Sequence, residues 1–322
     1  MLVARHRSGK AVSMAADQYY VKFWGVRGSY PVADADKLTY GGNTSCVEVR
    51  AGDHLVIVDA GTGIIKLGQE IYSDYLAKPK SERRNGLVIN MLMTHTHHDH
   101  TLGFGFFPPA FSISTTVYIY GPRMFAHDLE EIMSMSMLPP FFPVQLDDMG
   151  SMKVIRNIAD TDVLVFDEPG AEPRVFHKND LPADLPEDAL KVYNYRTYAH
   201  PQGGCIIYKF VYRGRTFVHG TDTEGYRGGD ARLIKFAKNA DLLSHDAQYD
   251  DEDYNRGTFQ GFGHSTPLMA AEVAQRAGVK RLGLIHHDPR HSDERIRELE
   301  ATAREVFPET VAVAEGQRFD LL

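Results

Sequence analysis

The sequence predicts a layered α/β protein, and three kinds of segment carry that prediction. Short, largely apolar runs such as Leu87–Met93 and Arg281–Ile285 have the length and composition of strands buried on both faces. Stretches with helical periodicity, Leu268–Ala277 and the segment from Asp293 onward, supply helices to cover them. Clusters of His and Asp directly follow several of the runs, in the strand-end loops where a rigid scaffold holds chemistry.

In chain order, Phe23–Ser29 and Tyr40–Cys46 are glycine-bearing segments, suited to positive φ and to close backbone approach. A β-hairpin follows through Val47–Val49 and Leu55–Gly61, and then the buried strand Leu87–Met93. Residues 104–190 read as a long insert. Within it Phe104–Phe111 and Met133–Pro143 are rich in Phe, Met and Pro, a helix is expected over Met124–Met137, and residues 167–190 read as an exposed loop. Adaptable Met and rigid aromatic side chains suit a lid over a site or a subunit contact, and packing beneath the helix is the alternative. Val192–His200 and Cys205–Tyr212 read as strands joined by the turn Pro201–Gly204, with Arg215–Val218 as the next strand after a tight hairpin at Arg213-Gly214. Asp241–Ala247 is a further strand ending in a His-Asp pair. Pro267, behind Ser265 and Thr266 as caps, opens the helix over Leu268–Ala277. Arg281–Ile285, a surface helix from Asp293 and a closing strand Val311–Val313 complete the chain. Residues 1–17 are expected to be a loose tail and residues 18–322 a single domain.

The densest chemistry lies in Thr94-His95-Thr96-His97-His98-Asp99-His100. His95 and His97, two residues apart, point the same way and can share one cation, while Asp99 and His100 turn toward a second. Imidazole with carboxylate suits zinc first, then manganese or iron.

This pattern, His-X-His-X-Asp-His after a buried strand, resembles the signature of the metallo-β-lactamase superfamily. The resemblance implies an αββα sandwich, two mixed β-sheets flanked by helices, and a metal-dependent hydrolase. It also implies further ligands in a set order. His200 would complete the first metal site with His95 and His97, Asp222 would bridge both metals, and His286 would join Asp99 and His100 on the second. The adjacent His287 leaves the register of the last ligand open by one residue, and the turn at Asp288-Pro289 favours His286. Gly263-His264-Ser265-Thr266 and the end of the Asp241–Ala247 strand look like the ribonuclease Z and cyclic phosphodiesterase branch. On that likeness His264 is the general acid and Asp246 its orienting partner, with Asp99 the other catalytic carboxylate, although ribonuclease Z carries Glu where this chain has Asp246. The glycine-bearing opening resembles phosphodiesterase-type members, with Arg27 or Asn43 as phosphate contacts, and Asp59 looks like the family aspartate that supports the metal loop by hydrogen bonding. Two cations about 3.5 to 4 Å apart would activate a bridging water for in-line attack.

Composition narrows the rest. The chain has 322 residues, 43% of them hydrophobic, enough to bury a large core. Two cysteines, Cys46 and Cys205, are too few for a disulfide framework and point to the cytoplasm. No apolar run reaches the ~20 residues that a membrane helix needs. A net charge of −8 argues against a general polyanion binder, and the short separation of His200 from Asp222 leaves no room for the tRNA-gripping arm of the usual ribonuclease Z enzymes. The expected function is therefore hydrolysis of phosphodiester bonds in a small or cyclic nucleotide-type substrate. An RNA-processing nuclease is the alternative, and the same metals can serve a lactone or thioester. A non-hydrolytic metal-binding protein is the reading from another class, and a homodimer is implied by analogy with the branch.

Overall fold

The computed structural model describes residues 18–226 and 228–322, so the tail expected over residues 1–17 lies outside the described residues. In chain order the strands are β1 (Tyr19–Gly25), β2 (Cys46–Ala51), β3 (His54–Val58), β4 (Leu87–Leu92), β5 (Thr115–Gly121), β6 (Met152–Asn157), β7 (Asp162–Phe166), β8 (Arg174–His177), β9 (Leu190–Thr197), β10 (Cys205–Tyr212), β11 (Arg215–Gly220), β12 (Leu242–Asp246), β13 (Leu282–Ile285), β14 (Thr310–Ala312) and β15 (Arg318–Asp320). The helices are α1 (Gly63–Ala77), α2 (His98–Thr101), α3 (Leu129–Ser136), α4 (Ala231–Phe236), α5 (Asp251–Asn255), α6 (Pro267–Ala277) and α7 (Asp293–Val306). The strands form two mixed sheets, in the order β15-β1-β2-β3-β4-β5-β6 and β14-β13-β12-β11-β10-β9-β7-β8.

Burial alternation explains how the sheets stack. In β1 Tyr19, Val21 and Phe23 face inward, and they meet Leu164, Tyr208, Phe210 and Phe217 from the second sheet in one core. The outer face of each sheet is covered by helices. In α1 Ile64, Leu67, Ile71 and Tyr75 are buried at helical spacing, and the first three pack on Ile57, Ile89 and Met91. On the other side Ala270, Ala274 and Ala277 of α6 and Ala303 of α7 pack on Val218, Leu243 and Leu282. The result is the αββα sandwich that the sequence implied.

Residues 104–190 are not a detachable insert. They contribute β5 and β6 to the first sheet and β7 and β8 to the second, and Phe104 and Phe107 are buried in the core beside α1. The helix expected from Met124 begins only at Leu129, because Asp128 and Glu131 form a reciprocal capping box that fixes its start. Residues 167–190 carry β8 as well as loop.

The parallel portions matter most for function. β3, β4, β5 and β6 run parallel in the first sheet, and β11, β12, β13 and β14 run parallel in the second. Their C-terminal ends meet along one edge of the sandwich, the usual place for a site in such sheets.

Candidate metal centre

The histidine loop leaves β4 and is fastened to both sheets before any ligand is considered. Thr94 N–H donates to Asp59 Oδ1 at 2.8 Å, the Thr94 carbonyl accepts from Ile206 N–H at 2.8 Å, and Tyr208 Oη donates to the Met93 carbonyl at 2.7 Å. The chain then turns through the short helix α2, which brings Asp99 and His100 back beside His95.

Seven side chains converge there. His95, His97 and His200 form one group, and Asp99, His100, Asp222 and His286 form another, each with its ligand atoms within 4.8 Å of one another. Asp222 stands between them. Its Oδ2 lies 3.6 Å from His95 Nε2, 3.7 Å from His200 Nε2 and 3.4 Å from His286 Nε2, and its Oδ1 lies 3.2 Å from His100 Nε2. His286 Nε2 also faces Asp99 Oδ2 at 3.1 Å.

These donors suit a cation better than they suit one another. His95 Nε2 and His100 Nε2 are buried and have no hydrogen-bond partner, and His200 Nε2 points at His97 Nδ1 across 3.0 Å. Orphaned buried polar atoms cost about 1–3 kcal/mol each and persist where function requires them. Protonation follows the same logic. Burial, reinforced by neighbouring imidazoles, holds His95 well below its ordinary pKa and His97 at about 4, so both keep the neutral form that binds metal. His100 and His286 are buried too, but Asp222 and Asp99 outweigh that penalty, raising His100 well above its ordinary pKa and His286 to about 9. The two buried carboxylates therefore demand positive charge, which divalent ions can supply.

Outer groups set the orientation of the inner ones. His100 Nδ1 donates to Asp59 Oδ2 at 2.7 Å, His95 Nδ1 donates to Thr94 Oγ1 at 3.1 Å, and His200 Nδ1 donates to the Gly263 carbonyl at 3.1 Å. Each bond leaves Nε2 aimed inward, the arrangement that supporting hydrogen bonds give metal-binding histidines. Asp59, Asp222 and His286 all have positive φ, 62°, 43° and 60°. Such backbone costs of order 1–3 kcal/mol per residue and persists where the surrounding structure over-determines it.

His264 and Asp246 stand beside this cluster. His264 Nδ1 donates to Asp246 Oδ2 at 2.7 Å, and the ring stacks on His286 at 4.8 Å with an angle of 15°. An open cleft of about 360 Å³ exposes Asp99, Asp222 and His264 together.

Several residues sit elsewhere than the sequence suggested. Arg27 is fully buried and spends its guanidinium on the carbonyls of Gly41, Asp288, His291 and Lys37, at 2.9 to 3.2 Å. Asn43 Nδ2 donates to Glu315. Both tie loops together, and neither is among the residues that line the cleft. Arg27→Ala is expected to lower the unfolding free energy by about 3–5 kcal/mol, since it opens a buried charged network. A urea titration measures this; an unchanged midpoint with a raised KM would restore the phosphate role. His287 turns away from the cluster, donating through Nε2 to the Val313 carbonyl at 2.9 Å and leaving His286 to face the carboxylates.

Other contributors went unread in the sequence. Ser29 N–H donates to Asp99 Oδ2 at 2.7 Å, and Gly28 is required beside it, because a Cβ there would fall 2.4 Å from the His286 ring. Glu224 accepts from Gly261 N–H at 2.8 Å and from Gly263 N–H at 3.0 Å, bracing the loop that carries His264. The glycine-rich opening was the only sequence signal for the first pair, and Glu224 had none.

Comparison with known proteins agrees with this geometry. The family described as the beta-lactamase superfamily domain matches residues 54–287. A protein named Ribonuclease Z from Gemmatimonas aurantiaca is 29% identical over 255 residues, covering 72% of this chain and 79% of that protein. Another Ribonuclease Z, from Thermoplasma acidophilum, is 26% identical over 313 residues, covering 92% and 94%. Among solved structures, the metallo-beta-lactamase fold protein YhfI from Bacillus subtilis superposes with a TM-score of 0.60 at 20% identity, over 94% of this chain and all of that one (100%). The short form of human tRNase Z superposes at 0.58 and 20% identity, over 94% and 99%. At these identities the structural likeness shows the fold, while the sequence match carries the family. This chain is a metal-dependent, phosphodiesterase-like hydrolase of the beta-lactamase superfamily, on its ribonuclease Z branch.

Proposed function

We propose that the protein cleaves phosphodiester bonds of RNA with two divalent cations, zinc foremost. His95, His97 and His200 would hold one, Asp99, His100 and His286 the other, and Asp222 both. The observation that carries this reading is the Asp222 carboxylate, set 3.2 to 3.7 Å from imidazole nitrogens of both groups. When bound, the cations would supply Lewis acidity to the phosphate oxygens and an activated water.

The remaining steps belong to the chain. Asp99 lines the cleft, with one oxygen tied by Ser29 N–H, and receives the proton that the attacking water loses. His264, with Nδ1 committed to Asp246, delivers a proton from Nε2 to the departing oxygen. Asp59, Thr94 and Gly263 keep the inner imidazoles from rotating.

RNA displaces the small cyclic diester as first substrate because relatives along most of the chain carry the name Ribonuclease Z. The net charge of −8 weighs less than first supposed, since cations in the cleft would neutralise the phosphate where it binds. The cyclic diester remains the second reading, supported by the direct turn from Tyr212 to Arg215, which provides no projecting arm between β10 and β11. The free, buried Cys46 and Cys205 suit a reducing cytoplasm. Among the described residues no helix is long and apolar enough to cross a membrane.

The test is turnover by metal-quantified protein on short RNA, 2′,3′- and 3′,5′-cyclic nucleotides, bis-p-nitrophenyl phosphate, a lactone and a thioester. Turnover of the phosphodiesters with RNA foremost is expected. Activity on the acyl substrates alone would overturn the reading.

A further inference from the structure

Three large aromatic side chains stand in solvent close in sequence to His200, Asp222 and His264, which lie together in the cluster. Tyr198, two residues before His200, is 72% exposed; Tyr226, beyond Asp222, is 59% exposed; Phe262, two residues before His264, is 57% exposed. Scattered exposed apolar side chains are ordinary and need no cause. The three loops adjoin: Glu224 N–H donates to the Ala199 carbonyl at 3.3 Å, and the Glu224 carboxylate accepts from Gly261 and Gly263 on either side of Phe262.

Phe262 is the most firmly held of the three. It lies between Gly261 and Gly263, whose φ values of 86° and 89° are open to glycine alone without strain. Both glycine N–H groups donate to Glu224, which also accepts from Tyr254 Oη at 2.6 Å. A Cβ on Gly263 would come within 2.5 Å of His200 Nδ1, so the loop backbone rests on that imidazole. Beneath the loop Phe259 stacks on Tyr249 at 4.5 Å, with the Arg290 guanidinium 4.7 Å from the Phe259 ring. Phe262 meets the Phe259 ring edge-on, with centroids 6.4 Å apart. A braced loop thus holds a flat apolar ring in water beside the proton donor, and a flat ligand would relieve that exposure by stacking.

We propose that Phe262, with Tyr198 and Tyr226, is the platform on which a nucleobase flanking the scissile phosphate stacks, making Phe262 a specificity-determining residue. This inference rests on the phosphodiesterase reading above. Because Phe262 lies on the loop that carries His264, the stacked base belongs to the leaving nucleoside. The recognised group is the base, carried either by an RNA strand or by a free cyclic nucleotide.

The experiment compares wild type, Phe262→Ala, Phe262→Leu and Phe262→Trp, each metal-loaded. Their substrates are a short RNA, a 2′,3′-cyclic nucleotide and the 2′,3′-cyclic phosphate of a methyl riboside, which has no base. Stacking is worth roughly 1–3 kcal/mol per base, so the preference for base-bearing over base-free diester should fall about 5- to 100-fold in the Ala and Leu variants. The Trp variant should keep it. Trp24 is the chain's single tryptophan and only 4% exposed, so the new indole also reports binding directly. Its fluorescence should be quenched by base-bearing ligands and not by the base-free one. Loss of preference for the RNA alone, or for the cyclic nucleotide alone, identifies which source the platform serves. An unchanged preference with unquenched fluorescence overturns the platform. Absence of phosphodiester turnover in wild type instead overturns the function on which it rests.

Discussion

Asp222→Asn is expected to abolish bound metal and turnover together. Asn keeps the shape of Asp and tolerates positive φ, so the backbone at 43° is preserved and the fold survives. What disappears is the negative charge facing imidazoles of both groups. Loss of a group that merely supports a metal ligand costs about 10–100-fold in affinity or activity. Loss of a carboxylate shared by two cations should exceed that for each of them. Metal content by mass spectrometry and kcat on the preferred diester measure the result, and two retained metals with undiminished turnover would defeat the site assignment.

His264→Ala should separate substrates by their leaving groups. On the proposed mechanism the histidine would deliver a proton to the departing oxygen, a contribution of roughly 10²–10⁴-fold where that oxygen is a poor leaving group. Activated aryl esters depart without the proton and should slow far less, with metal content unchanged. Asp246→Asn should give a partial version of the same pattern, because it weakens the bond that commits His264 Nδ1 and frees Nε2. Equal losses on alkyl and aryl diesters would sink the acid role.

Local pattern made much of this architecture legible. The helix expected behind Pro267 is α6, and the strand expected over Cys205–Tyr212 is β10, because unbroken periodicity and strong punctuation leave few alternatives. Thr115–Gly121 was equally rich in β-branched and aromatic residues, yet it was absorbed into a supposed insert. Its place depends on parallel pairing with β4 and β6, a long-range relation that no local window contains. The cluster shows the same division. His95 to His100 announce themselves by spacing, and His200, Asp222 and His286 were found only through the family resemblance. The burial of Arg27 was not legible, because a guanidinium serving four carbonyls looks, in sequence, like any arginine in a glycine-rich turn. Glu224 works through backbone N–H groups, which carry no residue identity.

The division of the cluster between the two sheets has a consequence for when the protein can act. His95 to His100 follow β4, while Asp222 and His286 follow β11 and β13. A ribosome releases these strands in order, so a nascent chain that has emerged only through β6 still lacks His200, Asp222 and His286. The cluster is complete only once β13 has docked beside β12. A chain broken off before His286 would hold an incomplete cluster, and a complementary fragment would have to associate with it to restore the set.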